Sequence, residues 1–398
     1  MSIKAGVGVD SGSDSFIATK NAAQVAVTSL GSDPDLFIVF ASSVYDSQHV
    51  LKGLRSVSAD AHIIGSSTAG EITTHGPTNK NSVAVMAIKS DTVNFFTGVG
   101  QDIQVSPFAA GKAAAMSVKK SAGDALKAFI MIPDVLTGNG AETVRGVLSA
   151  LGAHFPVVGG ASGDDFKFVK TYQYCEDSVY SGACVGLGMS GEFSMGIGVK
   201  HGWLPIGLPM KVTRSEGAVL HEIDGKPAIS LYEDYFGEEK ARELRTQTLA
   251  KLAITYPIGM NKEGSDELLI VDPLSVDANG SITCAAEVPT GADIRLMIGS
   301  SDEAIAIAKV AAEDALKQLN GKKPQAIIIF NCIARQRLFG VRAGEEISAI
   351  QSVLGLDTPL IGFYTYGEQA PLGGEVRNIE KCNPSFHNET VVILALGD

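Results

Sequence analysis

Cysteine is scarce in this sequence: five residues, an odd number, with no C-x-x-C pair. That excludes a disulfide scaffold and a structural zinc site and points to free thiols in the cytoplasm. The seven histidines show no metal-ligand spacing. Long apolar runs are missing as well, and none approaches the length of a membrane span. The N-terminus meets Asp10 before a signal-peptide core could form. Positive charge is in deficit, with 32 Lys and Arg against 44 Asp and Glu and a net charge of −12. Nucleic acid and anionic membranes both need a basic face, so neither is expected as a partner. No G-x-x-x-x-G-K-[ST] loop occurs. Gly6, Gly8 and Gly12 are spaced G-x-G-x-x-x-G, which misses the dinucleotide fingerprint, and no acidic residue ends the second strand. Gly6 and Gly8 are better read as allowing close packing.

What is present is a chain of 398 residues, 45% hydrophobic and 19% charged. It is globular and long enough for two or three domains. Its main feature is an internal repeat. PDLFIVFAS, LKAFIMIPD and PQAIIIFNC read as buried strands. Amphipathic helices follow each: SQHVLKGLRSV, GAETVRGVLSALG and AGEEISAIQSVLG. Each helix leads to a short strand running into glycine: HIIGSSTAGEI, PVVGGASGDDF and PLIGFYTYGEQ. A last strand closes each copy, in NSVAVMAI, SGACVGLGM and NETVVILAL. Upstream, AGVGVD, FFTGVGQD and RLMIGSSD read as strands entering Ala-rich helices. The expected fold is α/β: three β-α-β-α-β units with mixed, partly parallel sheets. The segment 202–292 differs. Its short runs broken by Glu-Gly, Asp-Gly and Asn-Gly predict a mainly antiparallel insertion, with a helix over SLYEDYFGEEKARELRTQTLAKLA. The expected domains are 1–201, holding two units, and 202–398, holding the insertion and the third unit.

Ligands of parallel α/β sheets bind outside the carboxyl ends of the strands. The repeat places Ser66, Ser67, Thr68 and Glu71 there in copy one, and Ser162, Asp164 and Asp165 in copy two. In copy three it places Phe363, Tyr364, Tyr366 and Glu368 there, with Cys332 and Arg335 at the neighbouring strand end. Aromatic walls with one carboxylate form a small-molecule pocket. Arg335 can pair with a ligand carboxylate and Glu368 with a ligand amine, a combination suited to an amino acid. The competing reading is an Arg335–Glu368 salt bridge that closes the sheet edge. His387 and Asn388, before the last strand, complete the expected ligand-binding set of Phe363, Tyr364, Tyr366, Glu368, Arg335, Cys332, His387 and Asn388. Each has a plainer alternative: an inert buried thiol for Cys332, a core or capping histidine for His387 and His201. Trp203 is expected to pack at the domain junction.

These motifs also carry a resemblance. FIVFASSVYD…HIIGSSTAGEI resembles the N-terminal half of the FIST domain. VTRSEGAVLHEIDGKPAISLYEDYFG, C-x-A-R at Cys332 to Arg335, PLIGFYTYGE and FHNETVVILAL resemble its C-terminal half. The resemblance implies a sensory module for signal transduction rather than an enzyme, with amino acids or related metabolites as ligands. It implies signalling through a separate histidine kinase, cyclic-dinucleotide enzyme or chemotaxis receptor, since no output domain is visible. Some members resemble haem-binding nitric-oxide sensors, for which His201, His221 and His387 are the candidate axial ligands; no other cofactor is expected. A third reading is an enzyme using Cys332 or His387 with Glu368.

Overall fold

The computed structural model describes residues 3–78, 81–237, 249–262, 267–374 and 382–398. Among them the strands form three six-stranded sheets and one eight-stranded sheet. The six-stranded sheets share one plan. A first strand pairs antiparallel with the unit's last strand: Ile3–Asp10 with Val83–Ser90, Val93–Gly100 with Cys184–Gly191, and Ser194–Lys200 with Val391–Gly397. The last strand pairs antiparallel with the second: Leu36–Ser42, Leu126–Pro133 or Pro324–Cys332. The second lies parallel to the third: His62–Thr68, Val157–Gly160 or Leu360–Thr365. The third strand's other neighbour comes from a different unit. His62–Thr68 takes Gln173–Cys175 of the second unit, Val157–Gly160 takes Glu368–Pro371 of the third, and Leu360–Thr365 takes Glu71–Thr73 of the first. Each unit thus completes its neighbour's sheet, and the exchange closes in a ring.

Local sequence explains the units. The first helix of each is capped: Asp14 accepts from the Ile17 N–H, Ser106 from Ala109 and Ser300 from Glu303. These helices lie so close to the first strand that a side chain there has no room. A Cβ at Gly8 would sit 2.1 Å from the Ala22 carbonyl oxygen, one at Gly100 1.8 Å from Ala110's, and one at Gly198 1.8 Å from Ala311's. The glycine pair near the N-terminus is therefore a packing device, repeated in all three units. It also locates the first strand of the third unit at Ser194–Lys200. The strand within RLMIGSSD, Asp293–Ile298, instead belongs to the eight-stranded sheet. That sheet is an insertion between the first strand and first helix of the third unit, so a cut at 201/202 separates Ser194–Lys200 from the rest of its unit.

The inner faces of the three sheets share one core. Ile38 and Phe40, Ile130 and Ile132, and Ile328 and Phe330 meet there. Each such fully buried side chain contributes about 1.5–3 kcal/mol. Helices cover the outer faces, as with Ala22 and Val50 over Phe37 and Val39. Burial on both faces is why the parallel strands read as unbroken apolar runs. In the insertion every strand pair is antiparallel, with turns at Gly217, Asp224-Gly225 and Gly280, all at positive φ. Its core joins that beneath the second unit's helices. Of the helix expected around 230–253, residues 230–237 and Ala250–Ala253 are helical, and 238–248 lie outside the described residues. Trp203 is buried against Ile270, Met297 and Ala304. No helix among the described residues is long and apolar enough to cross a membrane.

Candidate functional site

The third unit's FYTYGE turn does not form one pocket. Phe363 points into the shared core, its ring 4.4 Å from Phe40. Tyr364 points to the opposite face and is fully buried. Arg335 is also fully buried, and its guanidinium is spent. It pairs with Glu346 at 2.6 Å and donates to the carbonyls of His201, Ala304 and Glu389. All five N–H groups are thereby occupied, so neither a ligand carboxylate nor Glu368 receives one. The expected Arg335 contacts are corrected on this ground. The guanidinium lies 5.6 Å from the Trp203 ring and 5.4 Å from Phe339, a closed structural nest.

Glu368 has a structural explanation as well. It accepts from the hydroxyls of Thr365 and Thr390. Glu71 accepts in the same way from Thr68 and Ser82. Both stand at the start of an exchanged strand and at the same register: Glu71 faces Phe363 and Glu368 faces Gly160. In the second unit the matching position, facing Ser66, is Gln173. Its amide donates to Ser162 and accepts from the Ala183 N–H. Asp164 and Asp165, which the sequence repeat aligns with Glu71, lie instead in an extra loop before that strand. Burial pushes Glu71 up to about 7 and Glu368 up to about 8.

His387 is fully buried, with Nδ1 against the Thr390 hydroxyl at 2.9 Å. Burial pushes its pKa down to about 3, so the ring is neutral. Burial, followed by the charges of Glu368, Glu389 and Asp272, holds the Cys332 thiol well above its ordinary value. A thiolate–imidazolium pair is therefore not what this geometry favours.

Cys332, Tyr366 and Asn388 do meet, at a cavity of about 750 Å³ where the second unit, the third unit and the insertion converge. One wall is the loop 135–139, shaped by Asp134, which accepts from the N–H groups of Leu136, Thr137 and Gly182. The insertion contributes Asp272, Leu274 and Ala285. Asn388 ties the two sides together, donating its N–H to the Ile270 carbonyl at 3.0 Å.

The remaining wall is aromatic. Phe168 stacks on Tyr366 at 4.6 Å, and Phe166 packs edge-on against Phe168 at 4.8 Å. Both phenylalanines, and Asp165, hold positive φ of 54 to 64°. Such angles strain bulky residues and persist only where the surroundings impose them. Asp164 imposes them here, accepting from the Tyr366 hydroxyl at 2.5 Å and from the N–H groups of Phe168, Val169 and Lys170. Burial alone would raise the Asp164 carboxyl, but these bonds outweigh it and hold the group below its ordinary value. Asp165 accepts from Ser42 and Ser43 of the first unit. The loop therefore straps all three units together at the cavity.

Sequence reasoning missed Asp272, Glu389, Phe166 and Phe168. GDDFKF, two acids followed by spaced aromatics, was the available signal for the phenylalanines. Nothing local marks Asp272. A larger depression of about 1160 Å³ lies between Thr74–Thr78 and the helix Ala343–Leu354 and contains none of the expected residues.

Comparison with known proteins gives two family matches. A profile described as the FIST N domain matches residues 35–226, and one described as the FIST C domain matches 228–371. An uncharacterised protein of Mycobacterium tuberculosis is 29% identical over 221 residues, 55% of this chain and 57% of that protein. Another, of Methanocaldococcus jannaschii, is 31% identical over 99 residues, 24% of this chain and 19% of that protein. The chain spans about half the length of the first of these curated relatives. Among solved structures, a cyanuric acid hydrolase of A. caulinodans aligns over 100% of both chains at 8% identity and a TM-score of 0.38. A chorismatase aligns over 100% of this chain and 99% of its own at 7% identity and a TM-score of 0.35. Likenesses this distant bear on neither fold nor function.

Proposed function

The chain belongs to the FIST family, whose domains are signal-transduction sensors, and on that premise we propose that it binds a small metabolite in the cavity at Tyr366, Cys332 and Asn388. The observation that carries this reading is the position of that cavity. It lies where the second unit, the third unit and the insertion meet, beside a strained aromatic loop of the second unit that also bonds the first and third units. Its volume of about 750 Å³ falls within the range of small-molecule sites. A ligand there would act on the loop 163–172, and so on the fit between units, which a separate cytoplasmic partner would read. A histidine kinase, a cyclic-dinucleotide enzyme or a chemotaxis receptor are the partner classes in keeping with the family. Amino acids and related metabolites remain the starting set of ligands, without a carboxylate clamp at Arg335.

Two rival readings are weaker on these residues. None of the seven histidines lines the cavity. The Tyr366 hydroxyl is engaged by Asp164, and the Cys332 thiol is held protonated. That donor set does not fit a haem iron. The same protonated thiol and neutral His387 give an enzyme reading no activated nucleophile.

A metabolite thermal-shift screen tests the proposal. One compound class should raise the melting temperature of the wild type without being consumed. A ligand at a hundred times its Kd adds about 2.7 kcal/mol. Ala285→Phe, which fills the cavity from a partly exposed position, should remove that response. An undiminished response in the variant puts the site elsewhere, and turnover of the compound makes the protein an enzyme.

A further inference from the structure

We infer that the ligand of this cavity carries a positive charge, as an organic amine with an apolar or aromatic body, and that Asp272, backed by Glu389, holds its cationic end. The inference rests on the cavity being the ligand site proposed above.

It starts from how this protein treats buried acids. Glu71, Asp134, Asp164, Glu346, Glu368 and Glu389 are the buried carboxylates among the described residues. Five are well supplied. Glu71 and Glu368 have hydroxyl donors, Asp134 and Asp164 have backbone N–H groups, and Glu346 has Arg335 and Asn331. Glu389 is the exception. It is 0% exposed, and neither of its carboxylate oxygens has a hydrogen-bond donor. A buried acid left in this state costs several kcal/mol unless a proton or a cation neutralises it.

The backbone directs Glu389 to that place. Its φ is 61°, a left-handed conformation that a non-glycine residue seldom adopts. Arg335 holds the turn by donating to the Glu389 carbonyl at 3.1 Å, while the guanidinium itself is committed to Glu346. The carboxylate stands near that of Asp272, whose charge raises it further. Two neighbouring carboxyls resist ionising together.

Asp272 brings the pair to the cavity. It lines the space, and its Oδ1 is shut off from solvent without a partner. Its backbone is fixed on both sides: the carbonyl accepts from the Ala285 N–H at 2.8 Å, and the N–H reaches Asn388 Oδ1 at 3.4 Å. The side chain alone is uncommitted. Burial pushes Asp272 up to about 7, and burial together with the Asp272 charge pushes Glu389 well above the carboxylate range. No lysine or arginine lines the cavity among the described residues.

An ammonium group beside Asp272 would supply the missing positive charge and donors. Phe166, Phe168 and Tyr366 line the same space and would cover the apolar body of the molecule. A metal ion fits less well, because no group of three or more His, Cys, Asp or Glu residues able to hold one occurs among the described residues.

The test uses three probes of similar shape on the full chain: 2-phenylethylamine, 2-phenylethanol and 3-phenylpropionate. Binding is read by calorimetry to millimolar concentration, on wild type, Asp272→Asn and Glu389→Gln. The amine should bind at least about ten-fold more tightly than the alcohol, a difference of about 1.4 kcal/mol. That advantage should vanish in Asp272→Asn. Glu389→Gln should raise the melting temperature of the ligand-free protein, because an uncompensated acid has been neutralised. If the alcohol or the acid binds as tightly as the amine, the cavity stands as a ligand site and the cationic inference falls. If the amine keeps its advantage in Asp272→Asn, or if Glu389→Gln melts lower than wild type, the carboxyls do not hold a cationic end and the inference falls. If none of the probes binds, the site reading falls and takes the inference with it.

Discussion

The Glu368 carboxylate accepts from the Thr365 and Thr390 hydroxyls and so ties the exchanged strand Glu368–Pro371 to the start of the unit's last strand. Its counterparts Glu71 and Gln173 show what the position requires: a planar side chain that accepts from donors at the start of the unit's last strand. Gln173 does this without charge. Glu368→Gln should therefore keep melting close to wild type at pH 7, while Glu368→Ala, which strands the Thr365 and Thr390 hydroxyls, should cost about 1–3 kcal/mol. The pH dependence follows from the same groups. Glu71 at about 7, Glu368 at about 8 and Asp272 at about 7 lie above their unfolded values. The folded state therefore binds more protons, and these groups contribute stability that is full below about pH 4.5 and lost as pH rises through 7 to 8. His201 at about 4 and His387 at about 3 act oppositely, adding stability as pH rises towards 6.5 and nothing beyond. Stability, and with it the melting temperature, should thus fall between pH 6.5 and 8, by up to about 1.4 kcal/mol of stability per group and pH unit. A scan of wild type and Glu368→Gln checks this: the fall should be shallower in the variant, and equal slopes would show that Glu368 does not titrate in this range.

At the scale of elements, the loop 163–172 is the least regular part of the cavity wall and among the most tightly bonded. Asp164 holds it through four donors. Asp164→Ala should free Phe166 and Phe168 from their left-handed angles and let the loop leave Tyr366. Local opening should become easier by about 2 kcal/mol, roughly a thirty-fold gain in amide exchange at Phe168 to Lys170. The core strands should exchange as before. Hydrogen exchange resolves the two regions, and a uniform rise across both would mean that the loop opens only with global unfolding. The first strands were more legible than this loop. Their G-x-G pattern beside Ala-rich helices reports a close approach that only glycine allows. The loop, by contrast, owes its shape to Ser42, Ser43 and Tyr366, which are distant in sequence.

At the scale of the molecule, the ring of exchanged strands makes the three units interdependent. Residues 1–192 lack the Glu368–Pro371 strand that completes the second sheet. Residues 193–398 lack the Glu71–Thr73 strand that completes the third. Either fragment would also expose its share of the common inner core. Expressed alone, neither should unfold cooperatively, whereas the two co-expressed should elute together as one species on size exclusion. Cooperative unfolding of either fragment by itself would show that the exchange is dispensable.

The repeat, the helices and the parallel strands could be read from residues alone, because burial on both faces of a strand and on one face of a helix leaves a period in the sequence. The antiparallel insertion was legible for a similar reason, through its glycine turns. Partnership between units was not. The exchanged strands are three or four residues long and pair through backbone groups, which carry no label of their partner. The extra loop before Gln173 hid that counterpart of Glu368 behind a false alignment with Asp164. The cavity follows the same rule: Tyr366, Phe168 and Asp272 belong to separate elements, and the burial and pairing that give each its role exist only once the chain has brought them together.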